Sequence, residues 1–371
     1  MTLFFTAGTG LVDWDRGGNL ERELAVYRKL AGNFGPVNLV SYGGKGDREY
    51  DGRLPEFKVC PSVWRRRQGL TALEVAIRHC SILARSDFFK TNQMRGAQIP
   101  VWLKRLFGKP LIVRCGFLHG YFTEKQTTDP RLVAQAHELE KRAFHAADLI
   151  FLTSAWQRTY VMERYGLDSE LVSVVPNYVQ TGHFRTLPEV QKKYDLVFVG
   201  RGGEQKNLAE LLKALHLLKQ SGREVRVLLA GSCNRNEQLV KMVEKYTLAV
   251  DFAGQVATAR LPEVLNSARA FILPSHYEGH PKALLEAMSC ALPCIGADVD
   301  GIGQEISHGQ DGYLCQTDAE SIAEAISTVL GDSELSARIA VGARATVESK
   351  FSLEQVVEIE SSQIRRLLDA R

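Results

Sequence analysis

At 371 residues the chain is too long for one hydrophobic core and requires two domains of roughly 150 to 200 residues. Hydrophobic residues at 45% and charged residues at 24%, with 31 Gly and 12 Pro, exclude collagen-like, low-complexity and disordered classes. A formal net charge of +3 gives little global attraction for nucleic acid, so no nucleic-acid partner is expected. The charge is uneven, however: residues 45–109 hold 14 Lys and Arg against 6 Asp and Glu. The seven cysteines, at 60, 80, 115, 233, 290, 294 and 315, form no Cys-x-x-Cys pair and lack zinc-site spacing, which predicts buried free thiols in a reducing compartment. No apolar run reaches the roughly 18 residues that cross a bilayer, and no basic segment precedes the short apolar stretch in residues 1–10. A cytoplasmic location is expected.

Along the first half, short apolar runs alternate with stretches of helical period, the pattern of a parallel sheet covered by helices. Residues 3–6, 37–42, 57–60, 88–91, 111–114 and 149–153 read as strands, and 18–32, 72–84 and 131–146 as helices. Two basic, aromatic stretches stand out. Arg65, Arg66 and Arg67 follow Trp64, and 101–109 mixes Trp102, Leu103, Leu106 and Phe107 with Lys104, Arg105 and Lys109. Such a mixture suits an anionic membrane surface or a lipid-phosphate acceptor, and a solvated surface is the plainer alternative. A strand at 172–176 ends in Pro176-Asn177, after which periodicity is lost until Tyr194.

The same pattern then restarts, with strands at 195–200, 225–230, 251–253, 270–273 and 293–296 and helices over 207–220 and 281–290. The predicted fold is α/β: two Rossmann-like doubly wound domains, 1–178 and 190–351, facing a central cleft where ligands of open parallel sheets bind. A last amphipathic helix within 352–371 is expected to pack back on the first domain.

The stretch PSHYEGHPKALLEAM, residues 274–288, runs from a strand end through a glycine turn into a helix. Unpaired N–H groups and the positive end of the helix dipole suit a sugar and a diphosphate. Glu278 falls in the loop and Glu286 about two turns into the helix. FVGRGGEQKN, residues 198–207, is again a strand end, a glycine turn and a helix start. Its Arg201 and Lys206 can neutralise the charge that grows on a departing diphosphate, which leaves no need for a metal.

These residues resemble the family-4 retaining glycosyltransferases, which have the GT-B fold and a Glu-x7-Glu motif of the form EG(F/H)P-x-x-LLEAM. Glu278, Gly279, Pro281, Leu284, Leu285, Glu286, Ala287, Met288 and Pro293 match, and Ala291 stands where Gly is usual. The resemblance implies that Glu278 contacts the transferred sugar and Glu286 the ribose hydroxyls. It implies that the amides of His280, Lys282, Ala283, Leu284 and Leu285 hold sugar and phosphate, with Gly200, Arg201 and Lys206 at the diphosphate. Gln255 and Val256, after Phe252-Ala253-Gly254, would meet the nucleobase. GIGQEI at 301–306 and GQDGYL at 309–314 follow the family's late loops, with Asp300 in place of the first Gly. In the first half, Gly17-Gly18-Asn19 resembles the glycine-rich loop whose amides approach the donor phosphates, an ordinary turn being the alternative. His119 resembles the histidine near the reacting sugar, although it lies later than usual after its strand.

Asp13-Trp14-Asp15 and Asp298-Val299-Asp300 raise the rival of a metal-dependent, single-domain sugar transferase. Neither triplet has the right surroundings, so neither metal nor cofactor is expected beyond a nucleotide-sugar co-substrate, UDP-sugar ahead of GDP-sugar. The expected activity is retaining hexosyl transfer to a saccharide or lipid-linked saccharide acceptor in cell-envelope polysaccharide or glycan synthesis. Peripheral contact with the inner face of an anionic membrane goes with that reading. A sugar-nucleotide epimerase or hydrolase of the same architecture is the alternative. A dinucleotide oxidoreductase lacks its GxGxxG after the first strand.

Overall fold

The computed structural model describes residues 1–62 and 68–370. The expectation attached to Trp64, Arg65, Arg66 and Arg67 lies outside them. The chain divides into two compact units, Met1–Pro176 together with Val357–Arg371, and Asn177–Val356.

In the first unit the apolar runs form β1 (Thr2–Phe4), β2 (Val37–Ser41), β3 (Phe57–Pro61), β4 (Phe89–Thr91), β5 (Leu111–Cys115), β6 (Leu149–Leu152) and β7 (Val172–Val174). They make one parallel sheet of order β3-β2-β1-β4-β5-β6-β7, with Leu3 opposite Leu39 and Lys90. Every residue of β5 and β6 is buried, as strands covered by helices on both faces must be. The helix expected over 72–84 is two, Gln68–Arg78 and Cys80–Arg85, because the chain leaves helical geometry at His79. Six of the seven cysteines are buried, and Cys80 departs from that expectation by being exposed.

An unanticipated helix, Leu11–Arg16, contains the first DxD triplet. Asp13 accepts the Gly10 N–H at 2.7 Å, and Asp15 accepts the Tyr50 hydroxyl at 2.6 Å and Arg53 at 2.9 Å. Both carboxylates serve the fold. From Val357 onward the last helix, Leu353–Asp369, belongs to this unit. Its Glu360 lies 3.2 Å from Lys90 Nζ and 3.9 Å from Arg114, all three deep in the core. Burial lowers the Lys90 pKa and the Glu360 charge opposes it, so the helix is held by charges that tolerate burial as a group.

The second unit contains β8 (Tyr194–Val199), β9 (Val227–Ala230), β10 (Val250–Gly254), β11 (Ala268–Leu273), β12 (Cys294–Ala297) and β13 (Tyr313–Cys315). Their order is β10-β9-β8-β11-β12-β13, all parallel. β13 forms where the sequence suggested a loop, since Gly312 lets the chain run against Ile306 and the Cys294 carbonyl, 3.2 Å from where a Cβ would sit. The order reverses between β8 and β11, which makes the carboxyl ends of those two strands the natural ligand crevice. Among the described residues no helix is long and apolar enough to cross a membrane.

Candidate active site

The loops that leave β8 and β11 are zipped together at that reversal. The Gln205 carbonyl accepts the His276 N–H at 2.9 Å, and Gln205 Nε2 donates to the Tyr277 carbonyl at 2.8 Å. Asn207 adopts a left-handed conformation, φ 55°, which a short polar side chain tolerates. From there its Nδ2 donates to the carbonyls of Pro274 at 3.0 Å and Thr317 at 2.8 Å. This clasp puts the Lys206 ammonium in ion contact with Glu278 Oε1, which also accepts the Ser275 hydroxyl at 2.8 Å. Glu278 is 6% exposed, so its charge depends on these donors.

A third loop completes the support. The Glu278 N–H donates to the Asp300 carbonyl at 2.9 Å. Next to it Gly301 has φ +79°, and any Cβ there would strike the Glu278 carbonyl oxygen. Glycine at 301 is therefore a requirement of the Glu278 loop. Likewise Gly231, φ +119°, leaves no room for a Cβ beside the Gly200 carbonyl, which brings the ends of β8 and β9 together.

The eight-residue helix Lys282–Ser289 begins after Pro281. Glu286 is its fifth residue, 3% exposed, and so sits just over one turn inside the helix and not two, because residues 278–281 remain irregular. The expected amide array is smaller than the sequence suggested. The N–H groups of Leu284 and Leu285 donate to the Pro281 carbonyl at 3.1 and 3.4 Å, and both side chains are fully buried. His280 turns its ring into the protein, where Nδ1 accepts the Asn177 N–H at 3.3 Å and the ring packs edge-on to Phe351. Lys282 and Ala283 are half-buried in the first turn, and the Ala283 N–H has no acceptor among the described residues. Arg201 is exposed, Gln255 is exposed, and Val256 is half-buried beyond β10.

Two expectations fall in the first unit. Gly17 and Gly18 are not an open amide loop, since their N–H groups donate to the carbonyls of Asp13 at 3.0 Å and Asp15 at 2.9 Å. They cap the unforeseen helix Leu11–Arg16, whose last carbonyls need donors. His119 is the first residue of helix His119–Gln126, 3.5 Å from the Thr123 hydroxyl. Burial, then the Arg95 charge and His137, lower its pKa. Sequence reasoning missed Gln205, Asn207, Ser275 and Gly301 as supports. Their only signal was position, each lying within or beside a motif that carries charge.

Two doubly wound parallel sheets in tandem, the second with a cation and a carboxylate at its switch point, define the GT-B architecture. Residues 179–346 match the family model of glycosyl transferases group 1, and residues 22–178 match that of the glycosyl transferase 4-like domain. The chain belongs to the group 1 glycosyltransferases. It is 26% identical over 235 residues to a glycogen synthase of Mycobacterium tuberculosis, across 61% of this chain and 56% of that protein. The chain thus spans little more than half the length of that curated relative. In fold it is similar to sucrose-phosphate synthase from Thermosynechococcus elongatus, with a TM-score of 0.81 at 18% identity over 100% of this chain and 99% of that one. It is also similar to Anabaena HepE in complex with UDP and glucose, with a TM-score of 0.77 at 17% identity over 100% of both chains.

Proposed function

We propose that this chain transfers a hexosyl unit from a UDP- or GDP-sugar, UDP-sugar foremost, to an acceptor hydroxyl with retention at the anomeric carbon and without a metal. The observation that carries this is the Lys206–Glu278 pair at the β8/β11 switch point, beside the first turn of helix Lys282–Ser289. Lys206, exposed Arg201 and the helix N-terminus supply positive charge for a leaving diphosphate, the electrostatic contribution that usually dominates such catalysis. Glu278 is held by Lys206 and Ser275; in this reading it accepts hydrogen bonds from sugar hydroxyls, and Glu286 from the ribose. Reaction at the front face fits this set. The phosphate oxygen takes the acceptor's proton as the sugar–phosphate bond breaks and the new glycosidic bond forms on the same face. The UDP and glucose bound by the HepE relative support the choice of base.

Calorimetric titration of chelator-treated protein with UDP, GDP and their sugars tests the donor site. UDP or GDP binding that weakens in Lys206→Ala and Glu286→Ala is expected, and absence of binding to either nucleotide would sink the reading. Turnover of donor at full rate without acceptor would favour the epimerase or hydrolase alternative.

For the acceptor we favour a lipid-linked saccharide in cell-envelope polysaccharide synthesis, met at the inner membrane face. Helix Gln98–Phe107 exposes Trp102 and Leu106 and packs against helix Gln68–Arg78, which exposes Leu70, Leu73 and Ile77. Beside it, Trp102, Arg105, Arg142 and His145 line a groove of about 400 Å³. Apolar side chains next to cations suit an anionic lipid surface. Co-sedimentation with phosphatidylglycerol vesicles should fall at least about tenfold in the Trp102→Ser/Leu106→Ser double variant. Equal binding by the two proteins would remove the membrane contact.

A further inference from the structure

A chain of four titratable side chains from three helices packs against the first turn of helix His119–Gln126. Glu140, fully buried in helix Pro130–Ala146, lies with Oε2 2.6 Å from the Tyr165 hydroxyl at the end of helix Ala155–Tyr165. The same hydroxyl is 2.7 Å from His137 Nδ1, and His137 Nε2 is 2.7 Å from Glu124 Oε1, whose side chain is 38% exposed. The chain therefore runs from a core carboxylate to solvent. At its inner end the backbone N–H groups of Gly120 and His119 face Glu140. Position 120 admits only glycine, since a Cβ would collide with His137 Nδ1 and come within 2.8 Å of Glu140 Oε2.

Tyr165 has one proton to donate and two neighbours in reach. Either Glu140 is ionised, Tyr165 donates to it and His137 Nδ1–H donates to the phenol oxygen, or Glu140 holds the proton, donates it to the phenol oxygen, and the phenol donates to Nδ1. The two arrangements contain the same number of protons and differ only in where they sit. Packing alone does not call for such a group, because a buried carboxylate with Oε1 unpartnered among the described residues costs stability that an apolar side chain would not. A polar chain linked end to end by short hydrogen bonds does impose one geometry on the turn it touches.

We infer that Glu140, Tyr165 and His137 form a positioning network that sets the first turn of helix His119–Gln126 and thereby the orientation of the His119 imidazole. This rests on the reading of His119 as the histidine near the reacting sugar. Burial pushes the Glu140 carboxyl up to about 7, against the pull of the Tyr165 hydroxyl and the two amides. Glu124 and Tyr160 also face the network, with Arg164 beside Glu124 at 3.5 Å.

A double-mutant cycle on the full chain tests the inference. Glu140→Gln should lower kcat about tenfold while donor KM stays within about twofold, the pattern of misorientation and not lost binding. Tyr165→Phe should do the same. In a His119→Ala background, Glu140→Gln should change kcat less than about twofold. An equal drop in both backgrounds overturns the proposal. An NMR titration of the His119 ring, assigned by its loss in His119→Ala, gives a readout independent of activity. Its midpoint and shifts should change in Glu140→Gln, and unchanged values overturn the network. Full activity in His119→Ala, with the His119 titration still altered by Glu140→Gln, would instead remove His119 from the reaction and leave the positioning network standing.

Discussion

Replacing Lys206 with Met keeps most of the unbranched side chain and removes the ammonium paired with Glu278. The carboxylate retains Ser275 Oγ at 2.8 Å and Gln205 Nε2 at 3.5 Å, but at 6% exposure it cannot recruit bulk water. Orphaning a fully buried charge costs about 3–5 kcal/mol. Because Lys206 is 18% exposed and the Ser275 donor remains, the expected loss here is about 2 kcal/mol. For a domain of this size that lowers Tm by about 4–8 °C. Glu278→Gln should cost about 1 kcal/mol, since the ammonium left behind can turn toward solvent. The double variant, a neutral pair of similar shape, should also cost about 1 kcal/mol, a coupling of about 2 kcal/mol. Thermal unfolding of the four proteins at neutral pH without ligand measures this. Single losses that add to within about 0.5 kcal/mol would refute the claim that these side chains depend on one another.

Three further outcomes follow from the same geometry. Gly301→Ala should destabilise by about 2 kcal/mol, since it combines a left-handed φ with a collision at the Glu278 carbonyl, and should weaken UDP-sugar affinity more than UDP affinity; equal weakening by calorimetry would contradict it. Glu360→Ala should cost about 3 kcal/mol in chemical denaturation by stranding Lys90 in the core, and Lys90→Met added to it should recover most of that loss. Glu140 titrates near 7 when folded and near 4.5 when unfolded. Its contribution is therefore complete below about pH 4.5 and is lost as pH rises through 7. The stability of wild type relative to Glu140→Gln should fall by up to about 3 kcal/mol between pH 4.5 and 8, and a flat difference would show that the carboxyl is already ionised.

Much of the fold was legible because parallel strands are buried on both faces and leave apolar runs that need no context to recognise. Strands such as Leu111–Cys115 and Ala268–Leu273 stand out in this way. The helix Leu11–Arg16 leaves little mark in the sequence because six residues are too few to show a helical period, and the partners of its carboxylates, Gly10, Tyr50 and Arg53, come partly from elsewhere in the chain. The amides of Gly17 and Gly18, which the resemblance placed at the donor phosphates, close this helix, as the alternative of an ordinary turn has it. At Leu284 and Leu285 the motif located a helix N-terminus, but which amides stay open depends on where Pro281 starts the first turn.

Two doubly wound halves, the family resemblance, and the segments that carry Lys206, Glu278 and Glu286 can be read from the chain alone, since periodicity and motif spacing are local properties of a chain. Folding alone brings Lys206 and Glu278, 72 residues apart, into one ion pair. It alone likewise lets Asn207 and Gly301 hold their loops in place, and Glu140 and Tyr165 reach the turn bearing His119. Those contacts join loops at the ends of different strands. Which loops meet is set by strand order, and strand order leaves no periodic mark in a sequence.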